Sequence, residues 1–106
     1  MSLFSFLKPN DIHSDLEKYN ASADAILLDV RTPQEYKGGH IPKSKNLPLQ
    51  NIEEADRMIK DKNIPLYVYC QSGARSMQAT KLLKHMGYTD VTNIGGIVSY
   101  SGQLAY

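Results

Sequence analysis

The only cysteine of this chain stands where an apolar run changes into a polar loop. Residues 66–69 are apolar, aromatic or β-branched and predict a buried strand that ends at Cys70. A short loop with a glycine follows, and an amphipathic helical pattern begins near Arg75. A thiol between a strand end and a helix start faces backbone N–H groups and the positive end of the helix dipole, which favour the thiolate. Cys70 is therefore the candidate nucleophile.

A second apolar run ends in two charged residues. Residues 25–30 predict a strand buried on both faces of a parallel sheet, although Asp29 lies within it. A buried carboxylate needs partners, so we interpret Asp29 as a structural clamp. Arg31 lies two residues further on, on the same side of an extended chain, and either lines a pocket or pairs with a nearby acid. Because ligands bind beyond the carboxyl ends of parallel strands, we expect Asp29, Arg31 and Cys70 at one edge.

Helical patterns alternate with the strands along the rest of the chain. Further short strands are predicted near residues 46–49 and 91–94, and helices near residues 11–19, 33–37, 51–60 and 75–86. Thr32 to Glu35 has the residues of a capping box, and we assign Glu35 only to that cap. This alternation predicts an α/β fold with helices on both faces of the sheet. We expect one domain over residues 1–106, with residues 1–9 forming an edge strand through Phe4 and Phe6 or remaining loosely ordered.

The bulk composition excludes several functional classes. The net charge is +1, from 12 basic and 11 acidic residues, so nothing favours binding to nucleic acid or an anionic membrane. One cysteine excludes an internal disulfide and a cysteine-based zinc site, and we expect no metal. The first residues lack the features of a signal peptide, and no apolar run is long enough to cross a membrane. These observations predict a cytoplasmic protein.

Three separated segments together resemble the single-domain rhodaneses. They are residues 28–36 (LDVRTPQEY), 39–48 (GHIPKSKNLP) and 70–76 (CQSGARS), and the resemblance runs from about Asn10 to Tyr100. It implies a three-layer α/β/α domain with a five-stranded, mainly parallel sheet and no organic cofactor. Two positions depart from the family. Lys43 stands where a glycine is common, and the chain lacks the tryptophan usual after the paired glycines, where Tyr100 is the nearby aromatic.

The resemblance implies a sulfurtransferase. The Cys70 thiolate would take a sulfane sulfur from thiosulfate or a persulfide, carry it as a persulfide, and pass it to a thiol, a thioredoxin-like protein or cyanide. The residues implied in holding this anionic sulfur and its donor are Gln71, Ser72, Gly73, Ala74, Arg75 and Arg31, with Asp29 and Ser76 supporting the site. Arg75 either binds an oxyanion of the donor or stabilises the loop through a carboxylate such as Asp29.

Two other functions remain open at this point. Phosphatases and arsenate reductases of related type use Cys-x5-Arg, whereas Cys70 and Arg75 are separated by one residue fewer, which by resemblance suits a single sulfur atom. The same domain could also act as a sulfur carrier or partner-binding module without free turnover. Among the neighbouring side chains, we interpret His40 as a packing residue and expect Tyr69 to shape the entrance to the site.

Overall fold

The computed structural model describes residues 11–106, in which a parallel sheet carries helices on both faces. The strands are β1 (Ile26–Asp29), β2 (Lys45–Asn46), β3 (Leu66–Cys70) and β4 (Val91–Gly96), and the helices are α1 (Ile12–Ala21), α2 (Pro33–Lys37), α3 (Ala55–Met58) and α4 (Ala74–His85). Two 3₁₀ segments, Leu49–Glu54 and Ile97–Ser99, precede α3 and follow β4. No helix in this part of the chain is long and apolar enough to span a bilayer.

The expectation of five strands is wrong for the described residues. Their sheet has four strands in the order β2-β1-β3-β4, and every neighbouring pair is parallel. The fifth strand was expected through Phe4 and Phe6, and these residues lie outside the described range. Because β1 and β3 occupy the centre of the sheet, their carboxyl ends bring Asp29 and Cys70 to the same edge.

Adjacent residues of the central strands point to opposite faces and bury two separate cores. Leu28 and Val68 pack with Leu83 of α4 on one face. Leu27 and Tyr69 pack with residues of α1, including Ile12, on the other. Each fully buried aliphatic side chain contributes roughly 2 kcal/mol of hydrophobic stabilisation. The predicted arrangement of helices on both faces of a parallel sheet is confirmed.

The capping box predicted at the start of α2 is confirmed. The Thr32 hydroxyl accepts the backbone N–H of Glu35 at 3.2 Å, and the Glu35 carboxylate accepts the backbone N–H of Thr32 at 2.9 Å. The helix ends at Lys37, immediately before Gly38, as expected. This local exchange of hydrogen bonds holds the Glu35 side chain beside the carboxyl end of β1.

The helix predicted to begin at Asn51 is wrong in its first half. Leu49–Glu54 is a 3₁₀ segment, and the φ of −115° and ψ of 23° at Asn51 interrupt it. The Asn51 side chain donates to the Glu54 carboxylate at 3.3 Å instead of capping a helix. An α-helical turn forms only over Ala55–Met58, where the hydroxyl of buried Tyr88 lies 2.8 Å from the carbonyl oxygen of Ala55. Tertiary contact therefore determines this segment more than its helical pattern does.

One carboxylate in α1 is buried without a matching partner. Asp15 is 6% exposed, and its Oδ2 atom has no hydrogen-bond partner among the described residues. Desolvation raises the pKa of Asp15 above its ordinary value, Lys18 opposes the rise, and Asp11 adds to it. The folded state therefore binds a proton at Asp15 more tightly than the unfolded chain does.

We expect Asp15→Asn to stabilise the protein at neutral pH. Because the folded pKa is raised, wild-type stability falls as the pH rises from the ordinary value of 3.8 through the folded value. The variant lacks this loss, so its free energy of unfolding at pH 7 should be higher by on the order of 1 kcal/mol. Urea unfolding at pH 7 and pH 3 measures the difference, which should vanish at pH 3. A variant less stable than wild type at pH 7 would contradict the prediction.

Candidate active site

The Cys70 sulfur lies in a cradle made by the loop between β3 and α4. Its Sγ atom accepts backbone N–H groups from Gly73 at 3.0 Å and from Ser76 at 3.3 Å. Gly73 is the N-cap of α4 and has a φ of +111°, a conformation that side chains resist. The loop can therefore curl back until its amide hydrogens point at one sulfur atom, at the positive end of a 12-residue helix.

The environment of the cysteine favours its thiolate. Desolvation of this buried side chain raises the pKa of Cys70, but hydrogen bonds from the Ser76 side chain and from the backbones of Ser76, Gly73 and Ser72 together lower it below the ordinary value of 9.0. The single Ser76 hydroxyl hydrogen has competing acceptors, since Asn93 Oδ1 lies at 2.7 Å and Cys70 Sγ at 3.4 Å. The backbone donors are thus the firmer cause of the lowered pKa, and they make Cys70 a suitable nucleophile.

A glycine pair at the end of β4 lets the loop pass close to the sheet. A Cβ atom on Gly96 would lie 2.4 Å from the carbonyl oxygen of Gln71 and 2.6 Å from the Cα atom of Ser72. Gly95 has a φ of +98°, and the register between β3 and β4 shifts beside it. The sequence pattern ended this strand near residue 94 and left Gly95 and Gly96 outside it. They belong instead to β4 and form the floor of the cradle.

Asp29 and Arg31 form a buried ion pair beside the cradle. Arg31 Nη2 donates to Asp29 Oδ2 at 2.8 Å, and the Arg31 backbone N–H donates to Asp29 Oδ1 at 2.9 Å. Arg31 also donates to the Gly39 carbonyl oxygen at 2.7 Å and lies 3.4 Å from the Gln71 side-chain oxygen. Desolvation acts to lower the pKa of Arg31, but Asp29 outweighs it and leaves the pKa above its ordinary value. Arg31 therefore joins the β1 end to two loops of the site.

Arg75 pairs with Glu35, so the suggestion of Asp29 as its partner is wrong. Two guanidinium nitrogens of Arg75 donate to the two carboxylate oxygens of Glu35 at 2.7 and 2.9 Å. This bond from Arg75, against an opposing effect of desolvation and with help from Thr32, lowers the pKa of Glu35 to about 2. Asp29 cannot serve because Arg31 already occupies both of its oxygens. Glu35 is therefore both a helix cap and the carboxylate that holds Arg75.

A cleft of about 520 Å³ opens next to these pairs. Its lining includes the polar side chains of Arg31, Glu35 and Gln71 and the apolar side chains of Val98 and Leu104. Tyr100 also lines this cleft.

Tyr69 does not lie at the entrance to the site, and Lys43 has an unusual backbone conformation. Tyr69 is fully buried, and its hydroxyl accepts the Ile41 N–H at 3.1 Å, so its predicted role at the entrance is wrong. Lys43 has a φ of +74°, a left-handed conformation that glycine adopts more readily than other residues. His40 stacks on the Tyr36 ring with centroids 3.7 Å apart, which confirms it as a packing residue.

The structure brings the predicted site residues to one edge of the sheet. Residues 70–76 form the cradle, and the Asp29–Arg31 pair contacts it through Gln71. Sequence reasoning missed Glu35 as a partner of Arg75, did not single out Asn93, and left Gly96 outside the strand. The Gly95-Gly96 pair directly after a strand was the available signal for a close approach of backbone. Within residues 11–106, no cluster of three or more His, Cys, Asp or Glu side chains could hold a metal ion.

We expect Gly73→Ala to damage the cradle, and Gly87→Ala is its matched control. Both glycines have positive φ, +111° and +104°, so alanine should destabilise either site by about 1–2 kcal/mol. A Cβ atom at Gly87 meets nothing within 4 Å, at the opposite end of α4 from the cradle. Alkylation of Cys70 by iodoacetamide at neutral pH should slow several-fold only in Gly73→Ala, because the thiolate loses a donor. Equal alkylation rates in the two variants would contradict this role.

Loss of the buried Asp29–Arg31 ion pair should lower the free energy of unfolding far more than loss of an exposed ion pair. Asp29→Asn leaves the Arg31 guanidinium buried without its counter-charge, so unfolding free energy should fall by about 3 kcal/mol. Asp56→Asn removes a carboxylate that pairs with Lys62 at the exposed surface, and should change stability by less than about 1 kcal/mol. Urea denaturation of both variants measures the difference. Similar losses would show that burial does not govern the Asp29–Arg31 pair.

Comparison with known proteins agrees with this architecture. The Rhodanese-like domain family matches residues 9–103. Thiosulfate sulfurtransferase PspE of Escherichia coli is 41% identical over 71 residues, which cover 66% of this chain and 68% of PspE. Uncharacterized protein YqhL of Bacillus subtilis is 37% identical over 81 residues, 76% of this chain and 64% of YqhL. The chain thus spans about two thirds of the length of each of these relatives.

Solved structures show the same fold. The human single-domain sulfurtransferase TSTD1 superposes with a TM-score of 0.73 at 28% identity, covering 90% of this chain and 99% of TSTD1. The family match extends over the β1 end, the cradle and the glycine pair alike. This chain belongs to the Rhodanese-like domain family.

Proposed function

We propose that this protein is a sulfurtransferase that carries sulfane sulfur as a persulfide on Cys70. The observation that carries the proposal is the position of Cys70 Sγ, buried at the N-terminus of α4 and within 3.0 to 3.3 Å of two backbone N–H donors. These donors stabilise the attacking thiolate, and the same nest suits the anionic sulfur that follows it. PspE, the relative described above, supports this class of reaction.

The reaction consists of two displacements on sulfur. The Cys70 thiolate attacks the outer sulfur of thiosulfate, the S–S bond of the donor breaks, and sulfite leaves with the bonding electron pair. An acceptor thiolate then attacks the terminal sulfur of the Cys70 persulfide, takes that sulfur, and releases the Cys70 thiolate. With cyanide as acceptor the product is thiocyanate. No net oxidation occurs over the cycle, so the chemistry requires no further redox partner.

The side chains around the cradle have separate roles in binding the donor or acceptor and in holding the loop. Gln71 and Arg31 meet at the cleft, where an entering donor or acceptor would contact them. Ser76 contacts the sulfur and joins it to Asn93, so it fixes the loop from below. Asp29 acts through Arg31 and positions it. A single unpaired cysteine fits reducing surroundings, in line with the proposed cytoplasmic location.

The length of the loop argues against phosphatase activity. Four residues separate Cys70 from Arg75, and the loop amides converge on the sulfur itself rather than on a space beside it. A phosphate ester would also need a group to protonate its leaving oxygen. Among the described residues that line the cleft, the carboxylate is Glu35, whose pKa of about 2 makes it a poor acid at neutral pH.

A direct test uses the single cysteine of the chain. Wild-type protein treated with thiosulfate should gain the mass of one sulfur atom, and cyanide should remove it with formation of thiocyanate. Cys70→Ser should show neither adduct nor product, because the nucleophile is absent. Ser99→Ala, in the 3₁₀ segment after β4, is a control that should behave as wild type. Thiocyanate formation by Cys70→Ser would overturn the proposal.

The same experiment distinguishes turnover from relay. Repeated cycles with small donors and acceptors indicate an enzyme. A persulfide that forms on Cys70 but leaves only for a thiol on a second protein, such as a thioredoxin-like acceptor, indicates a sulfur carrier. Comparing the rate of thiocyanate release with the rate of transfer to reduced thioredoxin separates the two.

A further inference from the structure

We propose that Glu35 determines donor specificity by neutralising Arg75, so that the site favours sulfur donors carrying one negative charge over the dianion thiosulfate. The monoanionic class includes alkyl thiosulfonates. This inference rests on the proposed sulfur transfer and concerns the selection of the donor. Glu35 belongs to neither the cradle nor its floor, and it acts through Arg75.

The Arg75–Glu35 pair is held from both sides. Arg75 lies in the first turn of α4, next to the cradle, and makes a forked bond of 2.7 and 2.9 Å to Glu35. The same carboxylate accepts the backbone N–H of Thr32 at 2.9 Å and its hydroxyl at 3.1 Å. About a third of each charged side chain is exposed, so solvent screens the pair only in part. This geometry holds Glu35 in place as a permanent counter-charge for Arg75.

The other arginine of the site is compensated as well. Asp29 pairs with Arg31 at 2.8 Å, and both side chains are buried. Among the described residues lining the 520 Å³ cleft, the charged ones are Arg31 and Glu35. The two ion pairs therefore sum to zero, and the reactive thiolate makes the site negative. The backbone N–H groups of the cradle are directed at the sulfur, and both arginines are paired with carboxylates. A sulfur donor with a second negative charge therefore has no unpaired cation to bind.

Arg75 directly precedes Ser76, whose backbone N–H donates to the Cys70 sulfur at 3.3 Å, so the charge of Arg75 lies near the reacting atom. The pKa of Arg75 is raised chiefly by the hydrogen bond to Glu35, against an opposing effect of desolvation, and Coulomb attraction to Cys70 and to Asp29 adds to the rise. If Glu35 loses its charge, this attraction is no longer offset by the carboxylate. Glutamine at position 35 keeps an oxygen that can accept the Thr32 N–H, so the start of α2 is retained.

Two donors isolate the effect of charge. Thiosulfate and methanethiosulfonate both transfer an outer sulfur through cleavage of an S–S bond, and they differ in that a methyl group replaces one charged oxygen. In each case the Cys70 thiolate gains the outer sulfur as a persulfide. Sulfite leaves from thiosulfate, and methanesulfinate leaves from methanethiosulfonate, each with the bonding electron pair. The measured quantity is the second-order rate constant for persulfide formation in a single turnover.

For the wild-type protein, the rate constant with methanethiosulfonate should exceed that with thiosulfate by at least about tenfold. This ratio is first corrected for the intrinsic reactivity of the donors, by dividing it by the ratio of their rate constants with a small thiol in the absence of protein. In Glu35→Gln the thiosulfate rate constant should rise about tenfold, while the methanethiosulfonate rate constant should rise by less than about threefold. High salt should reduce the difference between the two rate constants of the wild-type protein, because it screens the repulsion of the dianion. The wild-type preference tests the inference even if the variant folds poorly.

Matched variants separate specificity from general disturbance. Glu54→Gln removes the carboxylate of another Glu–Arg pair, 2.6 Å from Arg57 on the exposed surface, and should leave both rate constants unchanged. The double variant Glu35→Gln with Arg75→Gln should not show the rise in the thiosulfate rate constant, because Arg75, the cation that Glu35 no longer neutralises, is absent. Iodoacetamide, which is neutral, should alkylate Cys70 of Glu35→Gln at lower pH than wild type.

An unchanged ratio of the two rate constants in Glu35→Gln overturns the inference, as does a gain that persists without Arg75. Either result leaves the sulfurtransferase proposal standing, because Cys70 still takes up sulfur. Failure of both donors to add sulfur to Cys70 would overturn the proposed function itself.

Discussion

The structure depends on backbone donors that reach one buried sulfur atom at the end of a central strand. An unsolvated thiolate is costly, so the chain must supply donors that approach closely and face no rival acceptor. Backbone amides at a helix start meet this requirement, and they reach Cys70 because Gly73 adopts a left-handed conformation. The loop must then lie so near β4 that only glycine fits at position 96. The end of β3, the loop after it and β4 are thus all arranged closely around the Cys70 sulfur.

The two ion pairs around this sulfur have different physical roles. The Asp29–Arg31 pair is buried and extends to the carbonyl of Gly39 and the side chain of Gln71, so it sets the relative positions of separate segments. The Glu35–Arg75 pair is partly exposed, and its main effect is on local charge. Together they leave the site with hydrogen-bond donors but no surplus cation. A second negative charge on a donor therefore meets no unpaired cation among these side chains, which is the basis of the proposed donor specificity.

Much of the architecture could be predicted from the order of local patterns. The continuous apolar run of β1, the aromatic and β-branched run of β3, and the capping box at Thr32 and Glu35 all form as expected, because each is stabilised by interactions within a few residues or by simple burial. Predictions failed where distant contacts dominate. The segment at Asn51 is shaped by contacts such as that between Ala55 and Tyr88, which are 33 residues apart in the chain.

The sequence by itself determined the candidate nucleophile, the α/β class and the edge at which Asp29, Arg31 and Cys70 meet, because residue type and the alternation of strands and helices along the chain are local properties. Only the tertiary structure decided which charges pair. Asp29 and Glu35 are both carboxylates near the β1 end, and sequence offers no means to assign Arg75 to one of them. The choice follows from geometry: Arg31 is near enough in the chain to occupy Asp29, while folding brings Glu35, 40 residues before Arg75, to within 2.7 Å.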